Sequence, residues 1–152
     1  MTLTYGLSSS KDLFAKLRRD GRLLEQEVNS DHLFNFVVTG YSLIDWIKND
    51  PSVPGIAKAS AAILYSDGWL RVCGDLATAA KHFVLSTRVP ITNHTSTSRG
   101  FGQGRWGKGA WGIGEESIVI TLDDGSTYSC LDLVNGVLQT WQGFFTQHRI
   151  PL

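Results

Sequence analysis

The chain has no excess charge of either sign. Fourteen basic and fourteen acidic residues cancel over 152 positions. A protein dedicated to duplex DNA is usually visibly basic, so the balance argues against that role and confines any polyanion contact to a local patch. Cysteine is scarce. Cys73 and Cys130 are far apart in apolar surroundings. They read as buried small hydrophobes in a reducing compartment, not as a disulfide framework or a zinc site. No histidine or cysteine pair has metal-ligand spacing, and His32, His94 and His148 read as surface or helix-end residues. No metal and no cofactor are expected. The N-terminus shows neither a charged leader region nor an apolar one, and no apolar run reaches membrane-spanning length. The expectation is a cytoplasmic protein without membrane association.

What is present is apolar content of 42%, enough for one core. The expected organisation is a single domain over residues 1–152. Ser9 and Asp12 form a capping box, and Phe14, Leu17, Gly21, Leu24 and Val28 follow at helical spacing, predicting a helix over about 9–28. A second helix is capped at Asn29 or Ser30. Leu33, Phe36, Val37, Leu43, Ile44 and Ile47 share its apolar side, and Asn35, Thr39, Ser42 and Asn49 fall opposite. The prolines and glycine of "NDPSVPG" end it, and residues 50–66 read as a connection with a short helical turn inside "GIAKASAAIL". A third helix, about 67–85, gathers Trp69, Val72, Cys73, Leu76, Ala77, Ala80, Phe83 and Val84 on one side.

The period then changes from 3.6 to 2. "STRVPITNHTS" and "SIVITLDDGSTYSC" read as strands, with Asp124-Gly125 as a hairpin turn. A Ser129–Asp132 capping box opens a last helix whose apolar face is Val134, Val137, Leu138, Trp141, Phe144 and Phe145. Gly136 and Gly143 lie on one side of it, and a close helix–helix approach would justify both. The expected fold class is mainly α (α+β): a four-helix bundle with a small two- or three-stranded antiparallel sheet, residues 86–129, inserted before the last helix.

Two candidate sites emerge. On the third helix Arg71, Asp75, Thr78 and His82 share one polar seam. Imidazole beside a carboxylate can act as acid or base near neutral pH, and arginine can hold an anion, so Arg71, Asp75 and His82 are the catalytic candidates. The plain alternative is a solvated face with an Arg71–Asp75 ion pair. The second candidate is the Gly/Trp-rich loop 99–114, with seven of the sixteen glycines and no acid. It lacks the Gly-Lys-Ser/Thr ending of a phosphate loop. Arg99, Phe101, Arg105, Trp106, Lys108 and Trp111 are its binding candidates. Aromatics with cations suit a protein hot spot or single-stranded RNA. Because the whole chain is neutral, a protein partner or second subunit comes first and RNA second.

"LRVCGDLATAAKHFVL", after "HLFNFVVTGYSLIDWI" and before "LDLVNGVLQTWQGFF", resembles the HEPN-like helical domains of small prokaryotic proteins. The resemblance covers about residues 9–85 and 130–148, and it implies a homodimeric helical bundle from a toxin–antitoxin, antiphage or mobile-element system. Active members are metal-independent ribonucleases with four to six residues between an arginine and a histidine. Here ten residues separate Arg71 from His82, and the literal match, Arg88 to His94, falls on a predicted strand containing Pro90. The resemblance therefore implies a non-catalytic binding or interaction domain. Its alternative is a ribonuclease using Arg71 and His82 across a dimer interface. An unrelated bundle that makes contacts through its Trp-rich loop remains the third option.

Overall fold

The computed structural model describes residues 5–83, 85, 88–99 and 116–152. Within them the chain is mainly helical: α1 Ser10–Gln26, α2 Ser30–Asn49, α3 Gly55–Ser60, a 3₁₀ stretch Ala61–Ser66, α4 Gly68–His82, β1 Thr92–Arg99, β2 Glu116–Leu122, β3 Thr127–Ser129 and α5 Cys130–Gln147. The expected connection between the second and third long helices is thus itself helical, which raises the helix number from four to five. Both capping boxes form. The Ser9 hydroxyl accepts from Asp12 N–H and the Ser129 hydroxyl from Asp132 N–H, with each aspartate returning to its cap backbone. Asn29, not Ser30, caps α2, accepting from His32 N–H at 2.8 Å.

The core is apolar and central. Phe14, Leu17, Phe36, Leu43, Ile44, Leu70, Val137, Trp141 and Phe145 are all fully buried or nearly so. Phe14 and Phe145 stack at 4.7 Å between ring centroids, and the Trp141 indole N–H donates to the Gly40 carbonyl at 3.0 Å. Gly40 is small for a reason: a Cβ there would lie 3.2 Å from Cys73 Sγ and 3.3 Å from Val137 Cγ1. The two Gly residues of α5 differ. A Cβ at Gly136 would overlap the Trp69 indole, whereas nothing approaches Gly143 within 4 Å. Close approach explains the first and not the second.

Three expectations need correction. Thr39 is 6% exposed, not on the outer face of α2. Its hydroxyl donates to Asp20 at 3.0 Å and accepts from Lys16 at 2.9 Å, so a polar contact between α1 and α2 draws it inward. α4 ends at His82, not 85. Phe83 takes φ 63°, which turns its side chain out of the helical stripe and leaves it 94% exposed. Val84, assigned to the same stripe, lies outside the described residues. The first strand begins at Thr92, not 86. Pro90 has no N–H to give, and the Ile91 and Thr92 N–H groups go to the Asp75 carboxylate rather than to a ladder.

The sheet is antiparallel in the order β1-β2-β3, and the β1–β2 ladder runs from Thr92↔Leu122 to Arg99↔Glu116 with an irregularity at Thr92/His94. Gly125 has φ 85°, the left-handed turn for which Asp124-Gly125 is suited. Ile118 and Ile120 point into the core. Asn93 through Thr97 of β1 are exposed.

Candidate functional site: the base of the hairpin

Asp75 organises the corner where α4 meets β1. It sits on the third turn of α4 and is 1% exposed. A buried carboxylate needs partners for its charge. Asp75 Oδ2 accepts from the backbone N–H of Ile91 at 2.9 Å and of Thr92 at 3.0 Å. Its Oδ1 lies 2.8 Å from Arg88 Nη2, a charge contact off the ideal hydrogen-bonding direction. Arg88 Nη1 donates to the Tyr41 hydroxyl at 3.1 Å, and Nη2 donates to the Arg71 carbonyl at 3.2 Å. The guanidinium also lies 5.4 Å from the Tyr41 ring centroid. Gly74 makes the arrangement fit. A Cβ there would be 2.6 Å from Arg88 Nη1 and 2.5 Å from Tyr41 Cε2.

The seam expected on α4 therefore divides. Asp75 pairs with Arg88 rather than with Arg71, because a partner thirteen positions on can reach into the helix groove that Gly74 leaves open. Arg71 contributes its carbonyl to the network, and its side chain is half-buried. Thr78 donates back to the Gly74 carbonyl at 2.7 Å. His82 is exposed on the last turn. At 1.5 Å rise per residue, Arg71 and His82 are separated by about 16 Å along the axis. The literal arginine–histidine match also comes apart: Arg88 faces inward to Asp75, while His94 is exposed on β1.

Sequence reasoning missed Arg88, Tyr41 and Gly74 as one unit. Gly74 in a helix interior was the available signal, since glycine there costs about 1 kcal/mol against alanine and asks for a reason. Of the loop candidates, Arg99 closes β1 opposite Glu116. Phe101, Arg105, Trp106, Lys108 and Trp111 lie outside the described residues.

Other chemistry is quiet among the described residues. Cys73 and Cys130 are buried and unpaired. Burial raises the Cys73 thiol far above its usual range and pushes Cys130 up to about 11, so neither is a thiolate at neutral pH. No group of three or more His, Cys, Asp and Glu side chains is placed to hold a metal ion. No helix among the described residues is long and apolar enough to cross a membrane. A shallow concavity of about 500 Å³ lies between Trp69, Tyr128, Asp132, Asn135 and Gln139. No family model, curated protein or solved structure matches this chain.

Proposed function

We propose that the chain is a non-catalytic binding domain of HEPN-like helical order. The bundle is the scaffold, and the β1–β2 hairpin carries the Arg/Trp-rich segment that meets a partner. The supporting observation is the placement of Asp75. The acid of the candidate catalytic trio is enclosed and occupied by Arg88 and two backbone N–H groups. At 1% exposure neither of its oxygens is open to a substrate, and among the described residues no carboxylate lies within ion-pair distance of His82. A buried clamp at the root of a hairpin is what a displayed contact element requires, because it fixes the direction in which the strands leave the bundle. The partner on this reading is a protein, a second copy of the chain first, with RNA as the alternative.

One observation keeps the ribonuclease reading as a second. Arg71 and His82 both lie outside the Asp75–Arg88 contact, and His82 is open to solvent. With about 16 Å between them along the helix, one chain cannot bring both to a single phosphate, so that chemistry needs a second subunit. The test compares the full chain with a variant lacking residues 100–113. Solution size is measured by light scattering, and single-stranded RNA is incubated with each protein in the presence of chelator. The binding reading expects no cleavage, and it expects a change of oligomeric state or of RNA retention on deletion. If the deleted variant keeps both properties, the hairpin is not the contact element. Cleavage that His82→Ala abolishes would replace the binding reading with the ribonuclease.

A further inference from the structure

Helix α1 carries five basic and three acidic side chains on a chain with no net charge. Their fates differ. Lys16 is bound to Asp20 at 2.6 Å and to Thr39 at 2.9 Å. Arg18 lies over the Phe14 ring, 4.5 Å from its centroid, and is hydrogen-bonded to Gln142. Asp12 is occupied as the helix cap, and Asp20 is buried. Arg19 and Arg22 are exposed and have no acidic partner within ion-pair distance among the described residues.

These two arginines line an open groove of about 620 Å³ along α1. The groove's one carboxylate, Asp20, is already neutralised by Lys16. Of the charged groups that line the groove, the two guanidiniums are the ones without an ion-pair partner among the described residues. Leu7 and Leu23 supply apolar floor, and Tyr5 stands at its margin, fully exposed. Tyr5 has φ 53° and is followed by Gly6 at φ 85°.

We propose that this groove binds single-stranded nucleic acid, with backbone phosphates on Arg19 and Arg22 and a base against the Tyr5 ring. Arg19 and Arg22 lie about 4.5 Å apart along the helix axis, so both reach one phosphate or two consecutive ones. A cationic track beside an unoccupied aromatic face is the combination that single strands use, since every base has a stacking face. An acidic peptide would satisfy the guanidiniums but would leave the Tyr5 ring without a role. The groove lies on α1, apart from the hairpin, so this proposal does not rest on the function proposed above.

The test is fluorescence anisotropy of a labelled mixed-sequence RNA 12-mer with the full chain. Arg19→Glu/Arg22→Glu is expected to weaken binding at least tenfold at low salt. Arg19→Lys/Arg22→Lys should largely retain it. The slope of log K against log salt should become shallower by roughly one in the charge-reversed variant, the consequence of losing one to two phosphate contacts. Tyr5→Ala should weaken binding about tenfold, within the range found for one stacked base. The same sequence as duplex should bind more weakly than as single strand. Circular dichroism confirms that each variant is folded. The proposal is overturned if the wild type binds no single strand, if charge reversal leaves affinity unchanged, or if a poly-glutamate 12-mer binds as tightly as RNA. Loss of RNA binding on deletion of residues 100–113, with retention in Arg19→Glu/Arg22→Glu, would assign the RNA to the hairpin and overturn the groove.

Discussion

Around Trp141 nearly everything buried is apolar: Leu17, Leu43, Ile44, Val137 and Phe145 are shielded from water, and the one polar need, the indole N–H, goes to the Gly40 carbonyl. Around Asp75 a buried carboxylate meets a half-buried guanidinium, which also reaches a phenol, and the two backbone N–H groups at the start of β1. The two regions share α4, which gives Leu70 and Cys73 to the first and Asp75 to the second. The interior of the bundle is held by close packing of apolar groups, an attraction that has no direction of its own. At the base of the hairpin each contact has a fixed distance and angle. The difference predicts that the hairpin can be loosened while the bundle stays folded.

Asp75→Ala should have the largest effect. It leaves Arg88 and two N–H groups without their acceptor, and breaking a buried pair typically costs 3–5 kcal/mol. Arg88 keeps some access to water, with its side chain 22% exposed, so a loss of about 3 kcal/mol is expected. Hydrogen exchange checks where it acts. Amides of β1 and β2 should lose protection first, and those of α2 and α5 should keep theirs. Equal loss in all four elements would show that the hairpin base and the bundle interior are one cooperative unit.

Gly136→Ala tests the other region. The Trp69 ring rests on the α5 backbone there and meets Tyr128 edge-on at 5.1 Å. A methyl group would displace the ring, and overpacking of this kind costs about 2 kcal/mol. Denaturant unfolding should show the loss with an unchanged m-value, as expected when only the folded state is strained.

Asp50 is smaller in effect and depends on pH. It ends α2 and accepts from Ser10 N–H at 2.6 Å, from Ser52 N–H at 2.8 Å and from the Ser52 hydroxyl at 2.6 Å. Burial pushes its carboxyl up, but these hydrogen bonds outweigh burial and hold it at about 2. A carboxyl lowered in the folded state stabilises above its unfolded value, near 3.8, and loses that contribution as pH falls toward 2. Asp50→Asn should therefore cost about 1.5 kcal/mol at pH 7, in the range for hydrogen bonds to a charged group. The gap between wild type and variant should close between about pH 4 and pH 2 in thermal melts. A gap that is constant down to pH 2 would mean that the charge contributes nothing.

How much of this was legible follows from the range of each interaction. The capping boxes at Ser9–Asp12 and Ser129–Asp132 and the Asp124-Gly125 turn are local, and they formed where the residues indicated. A helical wheel sees neighbours three and four positions away. It therefore paired Asp75 with Arg71, when the guanidinium that reaches it is Arg88, beyond the end of the helix. It likewise turned Thr39 outward, because its partners Lys16 and Asp20 belong to another helix. The end of α4 depended on one backbone angle at Phe83, a residue type that gives no warning of positive φ. The loop residues Phe101 to Trp111 fall outside the described residues, so their part in the candidate site rests on sequence alone.

Gly143 sharpens the comparison with the least perturbation. It is seven residues from Gly136 and shares its side of α5, so sequence treats the two alike. In the fold Gly136 is enclosed by Trp69, and Gly143 is exposed with nothing within 4 Å of a Cβ. Alanine in an open helix interior restricts the unfolded chain and shields the backbone, which stabilises by about 0.5–1 kcal/mol. For a chain of this size that raises Tm by roughly 2 °C. Gly143→Ala should therefore stabilise where Gly136→Ala destabilises. The informative failure is a lower Tm accompanied by a change of size in solution. That result would mean that the Gly143 face of α5 is covered by a second copy, where the missing side chain allows two backbones to approach.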